Sequence, residues 1–427
     1  MSEIIAFVSL PFLMQSFSMQ PYRQRLSKVF IIMGFWIFGV VASDLINGTG
    51  GKDFARGLLK PMFCLGWVFF ITIILVKEYR AFIFYGCGLV LAGLQNYLFP
   101  LSAWTAYYAE ISEYSATAFA LSPVFMSGAA AAGTLIYTKS KTLAVIAFGC
   151  AAVALGAVGA PRNFAANMLL CSLVIIYIRF ATSGMRRRAR LKPSFQRMAG
   201  ICVLGVVGMY GIFQLYILLA SSGALGAEQW AKLQAQSSTT LGQTPLGLIL
   251  GGRVQVFAAV LAILDNPLLG YGSWSAATLN SYLYTAAEAV GASASSLSRV
   301  ASAEYAGVGH SVLFQIWAEN GILSAIALMA IGAIAIQQIL YVMRIDHRLA
   351  PLIIFIGISF MWDFIFSPFN TSTRFQIGFF LALYLTDELQ RRVLLKESAS
   401  FYRSMAPPPM PLRPPPVAGV PAGAGWR

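Results

Sequence analysis

Charge is scarce in this chain of 427 residues. Asp, Glu, Lys and Arg together make up 11% of it, against about a quarter in an average soluble domain. A protein solvated on every side is thereby excluded. Acid is scarcer than base, with 16 Asp and Glu against 30 Lys and Arg. The net charge of +14 invites a nucleic-acid reading, but the basic residues sit in short loops between apolar runs, where they set membrane orientation instead. Nucleic acid is therefore not an expected partner. Histidine occurs only at His310 and His347. The five cysteines, Cys64, Cys87, Cys150, Cys171 and Cys202, all lie inside apolar runs without metal-ligand spacing, so neither a disulfide framework nor a metal centre is expected. There is no His-Glu-x-x-His, no Walker-type loop and no Asp-x-Asp sugar-nucleotide signature. No cofactor is expected.

What the chain has in quantity is apolar sequence, in runs near the roughly 20 residues that span a bilayer. Spans are predicted at about 29–47, 59–76, 82–103, 117–137, 142–160, 164–183, 199–220, 320–343, 351–368 and 375–389. Ile4 to Met19 is a further candidate, short and interrupted by Pro11 and Gln15; it has no small-residue cleavage site, and no signal peptide is expected. The fold class is thus an all-α, polytopic membrane bundle of about 10–12 spans. It divides into membrane helices over 1–220, one large extramembrane segment over 221–319, membrane helices over 320–389, and a Pro-rich tail over 390–427 that is expected to be disordered.

The loops alternate in charge. One set carries Arg23/Arg25/Lys28, Lys77/Arg80, Lys139/Lys141, the Arg186–Lys192 cluster, Arg344/Arg348 and Arg391/Arg392/Lys396. The other is poorer in cations. The positive-inside rule assigns the first set and the tail to the cytoplasm, and the 221–319 segment with His310 to the opposite, periplasmic side. A second apolar run, Leu246 to Leu264, is broken by Gly251-Gly252-Arg253 and followed by Asp265-Asn266-Pro267. If it spanned, His310 would move inside, so it is read as an amphipathic or re-entrant helix on the outer surface.

On that outer side the sequence places Arg162, Arg253, Arg374 and His310. Arginine offers phosphate oxygens a rigid fork of donors, and an imidazole can move a proton near neutral pH. Outer arginines also serve simply as headgroup anchors. Glu319, nine residues after His310, reads either as a site carboxylate or as an interfacial helix-end charge. Asp363, inside an apolar run, is functional or structurally paired. Gly270-Tyr271-Gly272 suits a tight turn after the external helix.

Two segments carry a family resemblance. Asp265-Asn266-Pro267-Leu268-Leu269-Gly270-Tyr271-Gly272 resembles the NPLLGYG segment of the bacterial O-antigen ligase and polysaccharide polymerase superfamily. Gly309-His310-Ser311, with Gln315, Glu319, Asn320, Gly321 and Ile322, resembles its GHS…Q…E-x-G-I segment. Arg253 stands where the family's arginine precedes NPLLGYG. Arg162 stands at the family's SR element, with Pro161 replacing the serine. A ligase pattern would have leucine where this chain has Phe257.

The resemblance covers about 140–345. It implies a GT-C-like bundle and a metal-independent glycosyltransferase of the inner membrane. The implied donor is a polyprenyl-pyrophosphate-linked glycan, with transfer expected on the outer face. It implies His310, Arg253 and Arg162 as catalytic, and Glu319 and Tyr271 as substrate-binding; Arg374, beyond the resemblance, is expected to bind substrate from its place on the outer side. The favoured activity is polymerisation of exopolysaccharide or O-antigen units. The alternatives are ligation to lipid A core and, in a different class, a transporter or flippase of the lipid-linked oligosaccharide. Membrane lipids, an acceptor glycan or lipid A core, and polysaccharide export machinery are the implied partners.

Overall fold

The computed structural model describes residues 22–77, 113–137, 139–157, 162–185, 254–291, 310–345, 349–370 and 372–387, with short pieces between 210 and 244. The Ile4–Met19 and 82–103 candidate spans and the Pro-rich tail lie outside them, as does most of the 199–220 span. Regular structure among the described residues is entirely helical. In chain order the main helices are α1 Arg23–Ile46, α2 Gly51–Lys77, α3 Glu113–Tyr137, α4 Lys141–Ala157, α5 Arg162–Met185, α6 Val254–Asp265, α7 Ala276–Val290, α8 Val312–Ile345, α9 Ala350–Phe366 and α10 over 372–387.

Among the described residues, three helices are long and apolar enough to cross a membrane: Arg23–Ile46, Gly51–Val76 and Val312–Met343. The 24 residues of α1 extend about 36 Å, against a hydrocarbon core of about 30 Å. Its composition is apolar all round. Met33, Trp36 and Val40 are buried, while Phe30, Ile31 and Phe38 point outward. A helix apolar on both faces belongs in a large core or in lipid.

The central core draws on α1 to α5 and α8 to α10, with Trp36, Ile71, Phe148, Leu328, Phe360 and Phe380 among its buried residues. α8 packs on both α1 and α9. The α1–α8 seam is close because its residues are small. A Cβ on Gly39 would overlap Ser324 Oγ, and Ser324 Oγ donates to the Trp36 carbonyl at 3.3 Å. Small residues and cross-helix hydroxyl bonds are what hold apolar helices together where no water drives association.

A second, smaller cluster joins α6 and α7 to the first part of α8. Ala258, Ala259, Ala262 and Ile263 meet Leu279, Leu283, Ala286 and Ala287, with Ala318 beneath. The 12 described residues of α6 cover about 18 Å. α8 begins at Val312, eight residues ahead of the predicted start at 320. Ser311 is the reason. Its Oγ accepts the Phe314 N–H at 3.2 Å, an N-cap bond that starts the helix early, and donates to the Phe364 carbonyl at 3.1 Å.

Candidate functional site

α8 is not continuous. At Gly321 the backbone turns to φ 74°, ψ −172°, and the helix resumes beyond it. Such a break strips nearby amides and carbonyls of their helical partners, and buried ones must be satisfied elsewhere. Residues 266–274 supply the partners. Tyr271 N–H donates to the Ala318 carbonyl and Gly272 N–H to the Glu319 carbonyl, both at 2.9 Å; Ile322 N–H donates to the Leu268 carbonyl at 3.1 Å. The fit admits no side chain. A Cβ on Gly321 would overlap the Leu268 oxygen, and one on Gly270 would lie 2.7 Å from the Ala318 oxygen. Gly270 and Gly272 both have positive φ, 73° and 87°, which glycine adopts without steric cost. Asn266 ties the turn, its Nδ2 donating to the Gly270 carbonyl at 2.7 Å. Trp317 Nε1 donates to the Pro267 carbonyl at 2.9 Å.

The end of α1 closes this arrangement from another side. Ser43 Oγ donates to the Glu319 carbonyl at 2.8 Å and accepts the Gly272 N–H at 3.1 Å. Buried Asp44 accepts from Ser273 N–H, from Ser273 Oγ at 2.8 Å and from Thr49 Oγ1 at 3.0 Å. Asn320 Nδ2 donates to Ser273 Oγ at 3.2 Å, and Asn47 Nδ2 to the Gly270 carbonyl at 3.2 Å.

A buried ion pair lies at the same level. Glu319 Oε2 accepts from Lys60 of α2, and both side chains are almost fully buried (6% exposed for Lys60 and 5% for Glu319). The other carboxylate oxygen accepts from Gln315 Nε2 at 2.9 Å. Gln315 Oε1 in turn accepts the Phe369 N–H at 3.2 Å, which ties the α9–α10 loop to α8. Lys60 sits nine residues into α2, about 14 Å along its axis. Two rings face its ammonium, Trp274 at 5.4 Å and Phe369 at 6.0 Å. Arg56, one turn earlier, lies 5.3 Å from the Trp274 ring. Trp274 itself has φ 61°, the one non-glycine with positive φ among the described residues. Such a conformation persists only where the surroundings impose it. Gly57 lets Ser273 come this close, since a Cβ on Gly57 would overlap Ser273.

The candidates named from sequence fall differently. Glu319 and Tyr271 lie within this arrangement. Tyr271 extends outward from it: its hydroxyl is 2.6 Å from that of Tyr282, which donates to Asp265. Burial pushes the Tyr282 phenol well above the ordinary tyrosine range, and its bonds to Asp265 and Tyr271 push it the same way. His310 is half-buried, directly before the Ser311 cap. Arg374 is in the first turn of α10, its guanidinium 5.2 Å from the Phe63 ring on α2. Asp363 accepts from Gln376 Nε2 at 3.0 Å. Arg162 is the first residue of α5, and its side chain is outside the described set, as is all of Arg253, which directly precedes α6.

Sequence reasoning missed Lys60, Asp44, Ser273 and Trp274. Lys60 had a signal. It lies inside the predicted 59–76 span, and a cation within an apolar span is a functional candidate by default. Asp44 had a signal too, a carboxylate inside the predicted 29–47 span; nothing local announced Ser273, which is held by Asp44 from a distant part of the chain. Among the described residues no three His, Cys, Asp or Glu side chains come together as a metal site. No family model and no curated protein matches the chain.

Proposed function

We propose that this protein is a membrane glycosyltransferase that takes glycan from a polyprenyl-pyrophosphate carrier and transfers it on the outer face of the bacterial inner membrane, polymerising exopolysaccharide or O-antigen units. The observation that carries the reading is the meeting of 268–272 with 318–322. These are the two segments in which the resemblance resides, far apart in sequence, and their glycines are the positions where no other residue fits. The resemblance thus falls on residues that depend on one another.

In this reading the bond from the anomeric carbon to the pyrophosphate oxygen breaks as the acceptor hydroxyl oxygen attacks the same carbon. The charge gathered on the leaving pyrophosphate is met by Arg253 and Arg162, with Arg374 holding the donor. Preorganised cations of this kind stabilise developing charge without a metal. His310 takes the proton of the acceptor hydroxyl or holds the phosphate. The charge bias of the loops supports an outward-facing site.

A deletion strain and a purified assay test the reading together. Loss of polymer with single repeat units retained is the expected result. Undecorated core with free lipid-linked polymer would assign a ligase, and accumulation of donor on the inner leaflet a flippase. In the purified assay with lipid-linked donor, Arg253→Ala is expected to lose several kcal/mol of transition-state stabilisation, and Arg253→Lys to recover little, since lysine lacks the fork. His310→Ala is expected to fall about a hundred- to ten-thousand-fold if it is the base. His347→Ala is expected to leave the rate unchanged.

A further inference from the structure

We infer that Lys60 is a positioning residue of this site: through Glu319 and Gln315 it fixes the Gly321 break of α8 against α2 and holds the loop that leads into Arg374. Glu319 is where the separate parts meet. Its carboxylate binds Lys60 on α2 and Gln315 one turn back on α8. Its carbonyl binds Ser43 at the end of α1 and Gly272 in the 266–274 turn. From Gln315 the connection runs to the Phe369 amide. Arg374 N–H then bonds the Asn370 carbonyl at 3.1 Å, and its guanidinium lies against Phe63, one turn beyond Lys60.

Stability alone does not account for such a pair. A buried Lys–Glu pair exchanged for apolar residues of similar size is often neutral or stabilising, and an ionisable pair at membrane depth points by default to function. What an ion pair adds is specificity of arrangement. The carboxylate can satisfy Lys60 and Gln315 at once only when α2, the break and the α9–α10 loop are in this register. Apolar residues would tolerate slippage. The ammonium is also closed off by Trp274, whose left-handed backbone costs energy that the 272–274 turn has to meet.

The test uses the purified full chain in lipid nanodiscs. Lys60→Met alone strands a buried carboxylate, so it is paired with Lys60→Met/Glu319→Gln, which removes both charges and keeps an amide beside Gln315. Lys52→Met, exposed on the same helix, is the control. The first readout is amide hydrogen exchange, independent of any reaction. In the double variant the Tyr271, Gly272, Ile322 and Phe369 amides are expected to exchange at least about tenfold faster, while the Ala144 amide, bonded to the Ser140 carbonyl at the start of α4, stays as in wild type. The second readout rests on the transferase reading: KM for lipid-linked donor is expected to rise about tenfold with kcat less affected, because donor binding at Arg374 has lost its support. A general loss of folded protein would lower kcat at unchanged KM. Exchange within about threefold of wild type at those amides overturns the inference, and so does faster exchange with unchanged KM. Faster exchange in a protein whose wild type transfers no glycan leaves the positioning role standing and sinks the transferase reading.

Discussion

Gly321 has a requirement that no other residue meets. Its φ is positive, and a Cβ would overlap the Leu268 oxygen. Gly321→Ala is therefore expected to cost on the order of 3 kcal/mol or more, combining left-handed strain with a forced shift of backbone. Thermal unfolding in detergent measures it. Trp274 gives the opposite test. Trp274→Ala loses the ring and keeps the strain, whereas Trp274→Gly loses both. The glycine variant is expected to melt no lower than the alanine variant, reversing the usual order in which glycine is the less stable by roughly 0.4–1 kcal/mol. Tyr282 adds a pH dependence. The fold favours its neutral phenol, so its contribution is complete below the ordinary tyrosine range, near 10, and is lost as pH rises above it. Alkaline titration followed by tyrosinate absorbance is expected to show late-ionising tyrosine, part of which Tyr282→Phe removes.

At the scale of elements, the seam between α1 and α8 is set by small residues. Two glycines of α1 separate helix propensity from packing. A Cβ on Gly34 would have nothing within 4 Å, whereas one on Gly39 would overlap Ser324 Oγ and lie 3.2 Å from the Asn320 carbonyl. Gly34→Ala is expected to stabilise α1 by up to about 1 kcal/mol through propensity. Gly39→Ala is expected to destabilise despite the same gain, because it pushes α1 off α8 just beside the break. Comparing the two unfolding midpoints checks this. The long apolar helices were legible from their runs, whereas α7, over 276–290, was not. The ends of the long helices were less legible: α8 starts early because of the Ser311 cap, and α2 begins at Gly51, eight residues ahead of the predicted start at 59. Apolar content marks where a helix is buried and says little about where a polar first turn begins.

For the molecule as a whole, the charge bias of the loops makes a prediction about sidedness. Reporter fusions at Gln236 and Pro407 are expected to report opposite sides of the membrane, with Gln236 outside and Pro407 inside. Equal cytoplasmic signal at both would reverse the assignment and take His310 away from the outer face. The described loops at 47–50, 266–275 and 367–370 gather at one end of α1, α2, α8 and α9, through the Asn47–Gly270 and Gln315–Phe369 bonds. That end carries the candidate site, and the orientation test therefore places the site as well.

The sequence by itself determined that this is a helical protein with helices fit for a membrane, because apolar run length and the scarcity of charge depend on composition alone. It also marked the two segments around Gly270 and Gly321, since glycine and proline spacing records backbone geometry locally. It did not determine that those segments bond to each other, that Glu319 finds Lys60, or that Asp44 finds Ser273. Each of these is a polar group whose burial is tolerable only with a partner supplied from a distant helix. A carboxylate reads as an interfacial charge until its counter-ion is known, and only the packing of α1, α2 and α8 around the break brought the partners within reach.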